Sequence, residues 1–128
     1  RTVCFFTGDG GLQMTIEEFG TIMEQHSPVK IILLNNNFLG NVRQWQQLFF
    51  ESRYSFTRMK NPDYEKIASA YSIPSRTVID RKDLAAAVRE MVETEGPFLL
   101  QAAVAEEENV LPMCCPGHDV DDMLLELS

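Results

Sequence analysis

Four short runs constrain this chain more than any other feature: "TVCFFT" (2–7), "VKIILLN" (29–35), "RTVID" (76–80) and "FLLQAAV" (98–104). Each is a nearly unbroken string of β-branched and aliphatic residues, without the alternation that marks a strand wetted on one face. Continuous runs of this length belong to strands covered on both sides, as in parallel sheets.

The intervals between them carry helical patterns. In the first, Thr15 stands three residues before Glu18 at capping-box spacing, Ile16, Phe19, Ile22 and Met23 share a face, and Pro28 closes the connection. His26 reads as a polar residue at that helix's C-terminus. A second helix is expected from about Leu39 to Phe50, with Val42, Trp45, Leu48 and Phe49 at helical spacing. The third opens at "NPDY", where Asn61 can cap and Pro62 fits the first helical position, and runs through Ile67, Ala68 and Tyr71. The fourth, "KDLAAAVREMVET" (82–94), is built of strong helix formers and stops before Gly96-Pro97. The order β-α-β-α-α-β-α-β points to an α/β fold: an open, mostly parallel sheet with helices on both faces and right-handed crossovers. Residues 1–104 form that unit. Residues 105–128 leave it through the charge run "AEEEN" and read as a loop or tail that can dock on the domain and end in a short helix.

Length and charge narrow the function classes. The 128 residues suffice for one core and hardly for two, and the chain opens inside a strand pattern, as part of a larger architecture would. A net charge of −8 argues against nucleic acid or anionic membrane as partner. No apolar run approaches the roughly 20 residues of a membrane span, so a soluble, cytoplasmic protein is expected. Cys4 reads as a buried small hydrophobe, and Cys114 and Cys115 as reduced thiols in the tail. His26 and His118 have no partners at zinc-site spacing.

Ligands of open α/β sheets bind outside the carboxyl ends of the strands, which makes "TGDGGLQ" and "NNNFLGN" the candidate loops. Gly8, Gly10 and Gly11 permit tight backbone and close approach of a ligand, while Asp9 supplies a carboxylate. Asn35, Asn36 and Asn37 supply neutral oxygens, and Gly40 relaxes the chain before the next helix. One carboxylate with amide and backbone oxygens suits Mg²⁺ shared with phosphate groups, and helix N-termini after both loops would face the same anion. Either loop alone reads more simply as a turn. The 24 residues between Gly10 and Asn35, room for one helix and one strand, are what join them. The pattern is neither G-x-G-x-x-G nor a Walker loop, which disfavours a dinucleotide site.

A GDG followed about two dozen residues later by NN resembles the metal-diphosphate motif of the thiamine diphosphate enzymes. More narrowly, "PVKIILLNNNFLGNVRQWQQLFFESRYS", "NPDYEKIASAYSI" and "VLPM" resemble the large catalytic subunit of acetohydroxyacid (acetolactate) synthase over nearly the whole chain. The resemblance implies the C-terminal part of that subunit's thiamine diphosphate-binding domain. It implies that Asp9, the side chain of Asn36 and the backbone carbonyl of Phe38 ligate Mg²⁺. Gly8, Gly10, Gly11 and Gly40 would then let backbone meet the diphosphate, with Asn35 orienting its loop. Asn41, Val42 and Trp45 would face the substrate, Trp45 favouring 2-oxobutyrate over pyruvate as second acid. Periodicity alone would make Trp45 a core aromatic. Asn41 departs from the methionine usual in the family and makes the pocket more polar. The cysteines after VLPM replace small or aliphatic residues.

The implied reaction decarboxylates pyruvate and condenses it with a second 2-oxo acid, in branched-chain amino-acid biosynthesis. The cofactor carries that chemistry. The activating glutamate of such enzymes belongs to another domain, and Glu17 and Glu18 read as helix positions, so the chain contains no catalytic residue and is expected to be silent alone. The family's cofactor lies between subunits, which implies a homodimer or higher oligomer with or without a regulatory subunit, and FAD held mainly by regions outside this chain. The rivals are sister enzymes of the same cofactor class (pyruvate oxidase, glyoxylate carboligase, sulfoacetaldehyde acetyltransferase) and a noncatalytic binding module.

Overall fold

A computed structural model describes residues 1–126. The elements follow in the order β1 (Val3–Gly8), α1 (Asp9–Met14), α2 (Glu18–Gln25), β2 (Val29–Asn35), α3 (Gly40–Phe49), α4 (Tyr64–Ala70), β3 (Ser75–Val78), a 3₁₀ turn (Arg81–Asp83), α5 (Leu84–Glu93) and β4 (Phe98–Ala103). The four strands form one parallel sheet in the order β1-β2-β4-β3. After it come β5 (Met113–Cys114) and β6 (Met123–Leu124), an antiparallel pair.

Successive residues of the two central strands divide between two cores, as the two-residue period of a strand requires. Ile31 and Leu33 of β2 and Leu99 of β4 pack with Leu12, Phe19, Tyr64, Ala68 and Ile73, which places α1, α2 and α4 on one face. Ile32, Phe98 and Leu100 turn the other way, against Ala87 and Met91 of α5 and Val78 of β3. The continuous apolar character of β2 and β4 follows from this double burial. Lys30 is the polar exception on β2: buried, it reaches the frayed end of α5, where its Nζ donates to the carbonyls of Thr94 (2.5 Å) and Gly96 (2.7 Å).

Several expectations are corrected. β1 is equally apolar but forms a free edge of the sheet, with Phe5 and Phe6 exposed, and Cys4 is exposed with them instead of buried. The capping box at Thr15 does not form. The Thr15 hydroxyl donates back to the Gly11 carbonyl (3.3 Å), and α2 starts one turn away with Glu17 at the N-cap and no side-chain cap bond. The "TGDGGLQ" segment is not a loop, since β1 runs to Gly8 and α1 begins at Asp9. Asn61 does not cap α4. Asp63 does, accepting from the Lys66 N–H (3.1 Å), because the Asn61 amide is engaged elsewhere. In the tail, the expected short helix is absent among the described residues, and residues 123–124 are strand. Residues 127–128, the end of that expectation, lie outside them. Among the described residues no helix is long and apolar enough to cross a membrane.

The two-core division has a measurable consequence at neighbouring positions. Leu33 is fully buried while Leu34 is 42% exposed. In urea denaturation, Leu33→Ala is expected to cost about 2–5 kcal/mol and Leu34→Ala less than about 1 kcal/mol.

Candidate functional site

Strand register places the site. β1 and β2 run parallel with Gly8 opposite Leu34, so the residues that follow, Asp9 and Asn35, emerge side by side at the carboxyl end of the sheet. β4 lies on the other edge of β2 with Ala103 opposite Asn35, and the Val104 N–H donates to the Asn35 carbonyl (3.0 Å). The exit segment is thereby led past the same end. The three segments enclose a cleft of about 600 Å³.

Asp9, Gly10 and Gly11 open α1, whose N-cap, Gly8, has no side chain to offer. Across the cleft α3 also starts without a side-chain cap, at Leu39. Two helix N-termini therefore present amide N–H groups unpaired by side chains, an arrangement that favours anions. Their close approach depends on missing side chains. A Cβ on Gly10 would stand 2.8 Å from Leu39 Cδ2 and 3.3 Å from Met59 Sδ, so any larger residue there would have to displace these side chains.

The second loop is held by its own asparagines. Asn35 Oδ1 accepts from the Asn37 N–H and Asn36 Oδ1 from the Phe38 N–H, both at 3.1 Å, making two successive side-chain turns. A short bridge to the segment around Arg58 adds Leu39 N–H to Thr57 O and Met59 N–H to Asn37 O, each 2.8 Å. These bonds use the residues flanking Phe38 and leave its carbonyl without a donor among the described residues. Two guanidinium groups, of Arg43 at 5.4 Å and Arg58 at 5.2 Å, lie over the Phe38 ring and fix the residue in place.

Asp9 is the unusual charge. It is 1% exposed, yet it forms no ion pair among the described residues. Its Oδ2 accepts from the Asn61 amide at 2.5 Å, and no donor among the described residues reaches Oδ1. Asn61 is the residue that sequence reasoning missed: its amide also reaches Asn35 Oδ1 (2.9 Å) and Asn37 Oδ1 (3.2 Å), while its own Oδ1 accepts from Gln13 Nε2 (2.8 Å). The available signal was the N-P-D sequence, in which Asp63 is a sufficient cap and leaves Asn61 free for another task. Tyr64, buried beneath, has its hydroxyl 3.2 Å from the Asp9 carbonyl and 3.1 Å from Asn61 Oδ1. Burial raises its phenol above the ordinary value of 10.0, the nearby Asp9 charge adding to the shift and a Gln13 hydrogen bond opposing it.

The tail side of the cleft is held by α3. Gln44 forms a reciprocal pair with the backbone of Val110, accepting from its N–H (2.8 Å) and donating to its carbonyl (2.9 Å). Gln47 accepts from Asn109 (3.1 Å), and the buried Arg43 pairs with Glu107 (3.0 Å). Residues 104–110 thus lie as a strap along the cleft.

Of the positions singled out in sequence, Gly8, Asp9, Gly10, Gly11, Asn36, Phe38, Gly40, Asn41 and Val42 all line this cleft. Trp45 does not. One turn further along α3, it is 43% exposed and meets Phe49 edge-on at 5.9 Å. No group of three or more His, Cys, Asp or Glu side chains suited to a metal occurs among the described residues, so a cation here would rest on one carboxylate and neutral oxygens.

Residues 1–102 match the family described as "Thiamine pyrophosphate enzyme, C-terminal TPP binding domain". The chain is 43% identical over 128 residues to the acetolactate synthase isozyme 2 large subunit of Escherichia coli (strain K12), covering 99% of this chain and 23% of that one. It is 40% identical over 117 residues to the mitochondrial acetolactate synthase catalytic subunit of Saccharomyces cerevisiae, covering 91% of this chain and 17% of that one. The chain therefore spans about a fifth of the length of the curated relatives it matches. Among solved structures, the thiamine diphosphate-dependent 4-hydroxybenzoylformate decarboxylase of Rhodococcus jostii RHA1 superposes with a TM-score of 0.77 at 22% identity, over 85% of this chain and 21% of that one. The benzoylformate decarboxylase of Polynucleobacter necessarius gives 0.78 at 22% identity, over 87% and 21%. These two likenesses establish the shared fold.

The Tyr64 hydroxyl offers a test of how firmly the site is built. Tyr64→Phe is expected to cost about 1–2 kcal/mol at neutral pH by urea denaturation. Because the folded-state value of Tyr64 is raised, its share of stability is complete below pH 10.0 and is lost as pH rises through that higher value. The alkaline loss of stability should therefore be smaller in Tyr64→Phe than in the parent.

Proposed function

This chain belongs to the thiamine pyrophosphate enzymes, as their C-terminal TPP binding domain, and from that premise we propose that its cleft anchors thiamine diphosphate through Mg²⁺ for an acetohydroxyacid (acetolactate) synthase. One observation carries the proposal: Asp9, buried and without an ion-pair partner among the described residues, lines a cleft on which two helix N-termini without side-chain caps converge. The carboxylate calls for a cation and the N-termini for an anion, and a metal diphosphate satisfies both.

The donor set fits Mg²⁺. Asp9 Oδ1 and the Phe38 carbonyl receive no hydrogen bonds among the described residues, and Asn36 Oδ1, though it holds the Phe38 N–H, keeps a second lone pair. These three would hold the metal, and the backbone of Gly8, Gly10, Gly11 and Gly40 would meet the phosphates. When bound, thiamine diphosphate supplies the carbon that takes up a 2-oxo acid and stabilises the charge left by decarboxylation. The chain's own part is positional: fixed carbonyl, carboxylate and N–H groups set where the cofactor lies, and the strap at residues 104–110 narrows access of water. Asn41 and Val42, on the cleft wall, would shape the space for the second acid, with Trp45 at its outer margin.

Identity of about two-fifths to acetolactate synthases of a bacterium and a yeast supports acetolactate formation, with pyruvate and 2-oxobutyrate as the acids to be tested. By the same reading the whole enzyme is a cytoplasmic homodimer or higher oligomer, served by a regulatory subunit in some forms and by FAD bound outside this chain. This chain alone turns over neither acid.

Two measurements test the reading. Calorimetric titration of the chain with thiamine diphosphate should show Mg²⁺-dependent binding that Asp9→Ala weakens by more than about 100-fold, beyond the loss expected for an outer partner of a metal ligand. In a full-length enzyme carrying this chain, pyruvate with 2-oxobutyrate should yield acetolactate and acetohydroxybutyrate, and Trp45→Ala should shift their ratio toward acetolactate. A different decarboxylation product would move the enzyme to a sister activity of the same cofactor, and the absence of Mg²⁺-dependent binding would overturn the site.

A further inference from the structure

The residue that joins the two halves of the cleft is neither on the first loop nor on the second. The Asn61 amide nitrogen, with two N–H groups to give, lies within hydrogen-bond distance of three acceptors, Asp9 Oδ2 at 2.5 Å, Asn35 Oδ1 at 2.9 Å and Asn37 Oδ1 at 3.2 Å. Its orientation is not free. Gln13 Nε2 donates to Asn61 Oδ1 at 2.8 Å, and the Tyr64 hydroxyl lies 3.1 Å from the same oxygen, so a flipped amide would set donor against donor and oxygen against carboxylate. Asn61 thus closes a network that includes α1, the end of β2 and α4.

The network divides the Asp9 carboxylate in two. Oδ2 is occupied from the Asn61 side, and Oδ1 of this cleft-lining residue has no donor among the described residues. We propose that Asn61 is a positioning residue of the metal site, holding Asp9 to a single available oxygen and fixing its separation from the asparagine loop. The inference rests on the Mg²⁺ reading above. A carboxylate restricted to one oxygen suits the small octahedral shell of Mg²⁺, whereas Ca²⁺ takes more ligands at longer distances and gains from bidentate carboxylates. Asn61 therefore confers selectivity for the smaller ion as well as affinity. A ligand-orienting partner of this kind is worth about 10–100-fold in metal affinity.

The test compares Mg²⁺ and Ca²⁺ as the metal supporting thiamine diphosphate binding to the chain, by calorimetric titration of the parent, Asn61→Ala and Gln13→Ala. Expected for Asn61→Ala is a loss of about 10–100-fold with Mg²⁺ and a distinctly smaller loss with Ca²⁺, so that the preference for Mg²⁺ contracts. Gln13→Ala removes one of the two contacts on Asn61 Oδ1, leaving that of Tyr64, and should move the preference in the same direction by a smaller factor, which carries the test if Asn61→Ala does not fold. Equal losses with both metals would mark Asn61 as a merely structural residue and overturn the inference, as would no loss at all. A parent chain that binds thiamine diphosphate with neither metal would overturn the functional reading and this inference with it, whereas a binding parent with an unchanged metal preference in the variants overturns the inference alone.

Discussion

A carboxylate shielded from water loses the hydration that stabilises its charge, and the loss is large unless neighbouring groups supply positive potential. Asp9 sits in that condition at the carboxyl end of β1, and the surroundings can be understood as responses to it. No lysine or arginine approaches among the described residues. What faces it is partial charge: the amide of Asn61 and the positive ends of two short-capped helices. Partial charges of this kind lower the cost of burying the group without cancelling it, and the remainder is available to bind a cation. Arg43 and Arg58 would have cancelled it, but their charges lie over the Phe38 ring and on the glutamates of the strap. The fold commits these two full positive charges to Phe38 and the strap, where they brace the backbone.

How much of this was legible depends on which kind of interaction wrote the residue. The run at 29–35 matches β2 residue for residue, because a strand buried on both faces must be apolar throughout and little else looks like it. The pairing of the two loops was legible for a related reason: the distance between them is the length of one crossover. The glycine-rich start of α1 was not, because Gly8, Gly10 and Gly11 are turn formers by propensity, whereas here Gly8 is the N-cap and Gly10 and Gly11 lie in the first turn of a helix. β1 carries the same apolar signature as β2 yet lies at an edge, since composition reports what a strand can bury and not what stands beside it.

The candidate site divides along the same line. Residues that meet the cleft through backbone or near-neighbour geometry, Gly8 to Gly11, Asn36 and Phe38 to Val42, were visible as two local motifs. Asn61 was not, because its partners lie 52, 26 and 24 positions away and its local context offers a complete alternative as a helix cap. A competing Asp63 two residues on was the only hint that the cap position was already filled. Trp45 sits apart from these. The helical period places it on a face with Val42 and Phe49, but one turn of α3 carries it off the cleft wall that Val42 lines.

At position 110 the strap along the cleft is fastened through its backbone: Gln44 accepts from the Val110 N–H and donates to the Val110 carbonyl, its amide also lying 3.2 Å from Met113 Sδ. A side-chain amide there stands in for the edge of a strand. Every residue except proline presents the same N–H and C=O at that position. The path of the strap is thereby uncoupled from the identity of the residue being held. Substitutions at position 110 can alter the polarity and volume of the cleft wall while the wall stays where it is, so this segment is free to drift or to be selected for new ligand shapes without the scaffold being rebuilt.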